Sequence, residues 1–115
     1  MESEAIRDPL TGLYSRRFID EKLPEILRGT DKALIWMADL DGFKRINDQH
    51  GHAVGDMALR QVARILTRSF KGKDLVARYG GDEFLIVLLD AGREVGEKRK
   101  RQLDEAFSMN PVCLS

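Results

Sequence analysis

The sequence has one cysteine, Cys113, so it cannot form an intrachain disulfide. It has no apolar run approaching the roughly 20 residues that a membrane span requires. Its acidic amino terminus, MESEAIRDPL, lacks the apolar segment of a secretory signal, so the expectation is a cytoplasmic chain with no membrane contact from this segment. Charge of one sign is missing too: 19 Lys and Arg balance 19 Asp and Glu. That argues against a nucleic-acid binder and requires any polyanion to be held by local groups. No repeat or low-complexity stretch is present, and 115 residues allow one small core. With 43% hydrophobic and 33% charged residues, the chain has the composition of a folded soluble domain.

The residues present predict an alternation of helices and strands. Asp8-Pro9 followed by Thr11-Gly12 is a turn-rich boundary at which the ordered domain is expected to begin. Ser15 can cap a helix to about Arg28, with Phe18, Ile19, Leu23, Ile26 and Leu27 on one side; Pro24 predicts a kink or a restart near Leu23. Ala33 to Ala38 is almost wholly apolar, which predicts a strand covered on both faces. Phe43 to His50 allows a short helix. GHAVGD (51–56) reads as a Gly-bounded turn into a longer helix striped with Val54, Ala58, Val62, Ile65, Leu66 and Phe70. Leu75 to Tyr79 and Glu83 to Leu89, separated by Gly80-Gly81, read as a hairpin. Glu94 to Phe107 reads as a charged helix anchored by Val95, Leu103, Ala106 and Phe107. Pro111 ends it and Val112 to Leu114 begins a strand. The fold class is therefore α/β (α+β), with helices packed on a mainly antiparallel sheet.

Two acidic clusters stand where chemistry is expected. Asp39 and Asp41 directly follow the apolar strand, and their spacing of two sends both carboxylates to one side of an extended chain. Asp82 and Glu83 sit at the Gly-Gly hairpin tip, where the glycines let another molecule approach the backbone. If the two strands are neighbours, the clusters meet. Converging carboxylates repel unless a cation lies between them, and oxygen ligands of this kind favour Mg²⁺ or Mn²⁺, whose shell water and nucleotide phosphates complete. Acidic turns are also ordinary surface features, and spacing alone leaves that alternative open. Other templates fail. His50 and His52 lack a third zinc ligand, Asp39-Leu40-Asp41-Gly42 has its glycine at the wrong place for a calcium loop, and neither GxxxxGK[ST] nor GxGxxG occurs. Gly42 and Phe43 amides at a helix start, with Lys44 beside them, offer a different phosphate cradle.

Three strings, DPLTGLYSRR, DLDGFKRINDQHGHAVGD and RYGGDEF, resemble the GGDEF-domain diguanylate cyclases in order and spacing, over roughly Asp8 to Ser115. The resemblance implies a βαββαβ sheet like the palm of nucleotidyl cyclases and polymerases, with residues 1–7 as a lead-in and 8–115 as the GGDEF domain. It implies condensation of two GTP into cyclic di-GMP with release of two pyrophosphates. Asp39 and Asp82 would ligate metal with the Leu40 carbonyl, and Glu83 would bind a second metal or deprotonate the attacking 3′-hydroxyl. Asn47 and Asp56 would read the guanine edge; Gly42, Phe43 and Lys44 would hold phosphates; Gly80 and Gly81 would let GTP lie against the hairpin. Mg²⁺ or Mn²⁺ is the implied cofactor. Each subunit would hold one GTP, so catalysis would need a homodimer, and a sensory or regulatory domain is expected upstream.

Compared with the family, Lys71-Gly72-Lys73-Asp74 replaces the RxxD of the inhibitory product site. Lysine lacks the bidentate fork of arginine, so feedback inhibition is expected to be weak or absent. The family pattern also continues past Pro111 through further strands and a last helix, so the resemblance implies a carboxyl-terminally shortened domain with apolar surface left open. Two other readings compete with the cyclase: a catalytically inactive GTP-binding signalling module, and a structural fragment whose motifs are relics.

Overall fold

A computed structural model describes residues 6–40, 42–70 and 72–109, with side chains as far as residue 106. Among the described residues, four strands form one sheet in the order β1-β3-β4-β2: β1 (Tyr14–Ser15), β2 (Ala33–Asp39), β3 (Leu75–Arg78) and β4 (Glu83–Leu89). The helices described with it are α1 (Arg16–Arg28), α2 (Phe43–His50), α3 (His52–Ser69) and α4 (Arg93–Met109). The expected mixed architecture is present. β4 is central, antiparallel to β2 and β3, and the short parallel β1 joins the far side of β3. β1 was not expected, because two residues carry no periodicity to read.

α1 starts where Ser15 accepts a hydrogen bond from the Phe18 amide and ends at Gly29. It runs unbroken through Pro24, without the restart anticipated at Leu23. Pro24 lies on the exposed side, so the Asp20 carbonyl that its missing N–H would have bonded can turn to water. Ile19 is buried beneath this helix with Ala77, Leu85 and Val87, forming the core of one sheet face.

The opposite face carries the larger core, in which Leu59, Val62, Leu66 and Phe70 pack against Phe84, Ile86 and Leu88. From the expected α3 stripe, Ala58, Val62, Ile65, Leu66 and Phe70 are buried, and Leu59 and Ala63 join them. Trp36 meets Phe70 edge-on at 6.2 Å. α4 packs here through Gly96 and Leu103, at helical spacing; a Cβ at Gly96 would stand 2.3 Å from Leu34 Cδ1. Val95 is 49% exposed and does not anchor the helix as expected, because the close approach at Gly96 turns it outward.

Two further expectations are corrected. β2 is an edge of the described sheet, not a strand covered on both faces: Ile35 and Met37 are about half exposed because α1 lies over the β1–β3 side. GHAVGD is not a turn either. Gly51, at φ 88°, separates α2 from α3 by itself, and α3 has already begun at His52. Asp41, Lys71, the side chain of Phe107, and the stretch with Pro111 and Val112 to Leu114 lie outside the described residues.

Candidate functional site

The sheet brings the two acidic clusters together. β2 and β4 pair with Asp39 opposite Glu83, and the Leu40 amide donates to the Asp82 carbonyl at 3.0 Å. Cross-strand partners project from the same face, so Asp39 and Glu83 leave the sheet on the side of Ile35 and Met37. Asp39 is exposed, and Asp82 and Glu83 are partly buried. Among the described residues, no three acidic, imidazole or thiol side chains are close enough to share an ion. Two carboxylates plus carbonyl oxygen still match what Mg²⁺ takes from protein, because water and substrate phosphates normally complete its octahedron.

The tip between β3 and β4 is tightly folded. Tyr79 and Gly80 amides both donate to the Glu83 carbonyl, at 2.8 and 3.3 Å. A Cβ on Gly80 would stand 2.3 Å from Glu83 Oε1, so glycine there lets the Glu83 carboxylate fold over the loop, while Gly81 faces open space. Behind the tip, the Tyr79 hydroxyl donates to Asp20 at 2.7 Å and the Arg16 guanidinium covers its ring at 4.6 Å. The hydrogen bond to Asp20 holds the Tyr79 hydroxyl above its ordinary pKa.

On the other side of the acids, Gly42 takes a left-handed φ of 73° and turns the chain from β2 into α2. The Phe43 amide donates to the Leu40 carbonyl at 3.2 Å, while Leu40 and Phe43 pack on the core and fix where α2 starts. Lys44 is exposed at that start. One turn further, Asn47 Oδ1 is buried without a hydrogen-bond partner. Such an orphan acceptor is costly unless a ligand satisfies it. Asp56 is partly buried in the first turns of α3. The packing of Asn47 depends on Gly55, whose added Cβ would lie 1.9 Å from Asn47 Oδ1 and 3.3 Å from the Phe43 ring. Gly55, expected from the sequence to belong to a Gly-bounded turn, instead makes this contact from within α3. His50 and His52 are exposed at helix ends.

The Asp74 carboxylate receives a hydrogen bond from Arg99 of α4, and the same guanidinium lies 5.1 Å over the Phe70 ring. This pair was not anticipated, since nothing in the local sequence links positions 25 apart.

The family model described as "Diguanylate cyclase, GGDEF domain" matches residues 5–111. The chain belongs to the GGDEF-domain family. Among curated proteins, it is 39% identical over 103 residues to the diguanylate cyclase DgcP of Pseudomonas aeruginosa, covering 83% of this chain and 15% of that one. It is 37% identical over 103 residues to an uncharacterised Bacillus subtilis protein, YtrP, covering 90% and 18%. The chain thus spans less than a fifth of the length of either relative. Among solved structures, the GGDEF domain of DgcB from Caulobacter crescentus, in complex with cyclic di-GMP, superposes with a TM-score of 0.80 at 29% identity, over 86% of this chain and 60% of that one. The diguanylate cyclase SiaD of Pseudomonas aeruginosa, in complex with its activator SiaC, gives 0.82 at 33% identity, over 91% and 42%. No helix among the described residues is long and apolar enough to cross a membrane.

Proposed function

We propose that this GGDEF domain is a diguanylate cyclase module that condenses two GTP into cyclic di-GMP, releasing two pyrophosphates. The observation that carries this reading is the meeting of Asp39 and Leu40 with Asp82 and Glu83, together with an orphan acceptor on Asn47 in the helix that follows β2. Relatives named as diguanylate cyclases support it.

The chain's own groups divide the work. Asn47 Oδ1, buried and unpartnered, would accept from the donor edge of guanine, with Asp56 as its neighbour in that readout. Adenine would leave both unpaired at that edge, which favours GTP over ATP. The Gly42 amide and Lys44 would hold phosphate oxygens. The Phe43 amide would share its proton between the Leu40 carbonyl and phosphate. Gly80 and Gly81 would let the nucleotide lie against the hairpin. Glu83 would take the proton of the attacking 3′-hydroxyl or sit beside a second cation. Asp39, Asp82 and the Leu40 carbonyl would hold Mg²⁺ or Mn²⁺, which supplies neutralisation of charge building on the α-phosphate and a more acidic 3′-hydroxyl. These residues form one GTP site, so the second GTP would come on a second copy of the domain facing the first. Product feedback would be weak, since Asp74 is paired with Arg99 and lysine stands at position 71.

Incubation with GTP and Mg²⁺ or Mn²⁺, followed by chromatography, tests the proposal. Cyclic di-GMP and pyrophosphate are expected. Metal-dependent GTP binding without product would point instead to a GTP-binding signalling module, and folded protein with neither would overturn the reading.

A further inference from the structure

The tip that carries Asp82 and Glu83 is tied to a segment 70 residues earlier in the chain. Arg78, the last residue of β3, uses both ends of its guanidinium. Nε and Nη2 donate to the Gly81 carbonyl at 3.2 and 2.9 Å, while Nη1 donates to the two carboxylate oxygens of Asp8 at 3.3 and 3.4 Å. Only 20% of the Arg78 side chain and 17% of that of Asp8 are exposed, so water competes weakly for this pair. Asp8 is itself held. One of its carboxylate oxygens accepts from the Thr11 amide at 2.9 Å and the Thr11 hydroxyl at 2.8 Å, and its backbone closes the turn through Leu13 and Gly12. Gly81 has no side chain to fix it, and the described contacts of its carbonyl come from Arg78.

We infer that Arg78 is a positioning residue, a fork held by Asp8 that sets the conformation of the Gly80-Gly81 tip and through it the placement of Asp82 and Glu83. The inference rests on the proposed cyclase reading for its consequence on rate, but not for the clamp itself. Lysine could keep the charge beside Asp8, yet its single ammonium cannot also reach the Gly81 carbonyl as the planar fork does. The segment around Asp8 thereby becomes a point from which movement of preceding chain would reach the site.

The test compares wild type, Arg78→Lys and Asp8→Asn, with the exposed Arg17→Lys as control. It uses amide hydrogen exchange by NMR together with steady-state turnover of GTP. The clamp predicts faster exchange at the Gly80 and Leu40 amides, whose acceptors are the Glu83 and Asp82 carbonyls, with Ile86 to Leu88 unchanged. It also predicts kcat lower by about 10- to 100-fold, the usual consequence of roughly ångström-scale misplacement, with KM for GTP within about twofold. Unaltered Gly80 and Leu40 exchange, exchange that quickens equally through Ile86 to Leu88, or quicker tip exchange with full kcat would each overturn the inference. A wild type that turns over no GTP would defeat the cyclase reading, and the exchange comparison alone would then decide the clamp.

Discussion

Glu83 stands directly across the β2–β4 ladder from Asp39, at the end of the sheet where the Leu40 amide also reaches the Asp82 carbonyl. Register here is fixed by seven consecutive pairs from Ala33–Leu89 to Asp39–Glu83. A slip of one residue would turn every side chain to the opposite face and bury Asp39 in the core. The apolar strands that stabilise the domain therefore also determine where its acids meet.

The orphan acceptor on Asn47 gives a prediction about base recognition. Inosine triphosphate, which lacks the exocyclic amino group of guanine, is expected to bind wild type about 10-fold more weakly than GTP, and Asn47→Ala should erase most of that difference. Gly55→Ala should act on the same site from behind, because its Cβ would displace Asn47. It is expected to cost about 1–3 kcal/mol of stability by overpacking and to weaken GTP binding. Calorimetric titration with both nucleotides, beside thermal melts, checks the pair of variants.

Asp74 is expected to act in stability and not in product binding. Its carboxylate faces Arg99, and removing it by Asp74→Ala would leave a guanidinium that is 29% exposed without its partner. A loss of about 1–3 kcal/mol in a urea melt is expected for a hydrogen bond between charged groups. Turnover should show little inhibition by cyclic di-GMP in either protein. Sub-micromolar product binding that disappears in Asp74→Ala would contradict this.

Acid sensitivity should have a contribution at the opposite end of the sheet. The Asp90 carboxyl is held below its ordinary value of 3.8, first by the Thr30 hydroxyl and then by Lys73. A lowered folded-state pKa means stabilisation that is present above about 3.8 and lost as pH falls through the folded value. Asp90→Asn should therefore melt lower than wild type near neutrality, with the gap closing below that range. The gap is expected to be small, because both partners are exposed and salt screens them. Left-handed φ at Asp90 (56°) suits asparagine as well, so backbone strain does not confuse the comparison.

Much of this fold is legible in the sequence. The period of α3, the Ser15 cap and the Gly-Gly hairpin all have local signatures. The meeting of the acids was legible conditionally, since the spacing of Asp39 and Asp82 says nothing until β2 and β4 are neighbours. What escaped is non-local or lacks a pattern. The clamp from Asp8 to Arg78 spans 70 residues, β1 is two residues long, and Gly55 reads as a turn until α2 is seen packed against it. Glycine serves in turns and in close contacts alike, and only the neighbouring helix distinguishes them.

The most direct test of the central claim is a side-by-side assay of wild type and Asp82→Ala with GTP and Mg²⁺, with melting curves on the same samples. The account predicts cyclic di-GMP from wild type alone and a change in melting of less than about 1 kcal/mol, as befits a loop side chain outside the core. Cyclic di-GMP formed equally by both proteins would contradict the role given to the acids at the hairpin tip. Failure of a folded wild type either to form it or to bind GTP would contradict the site as a whole.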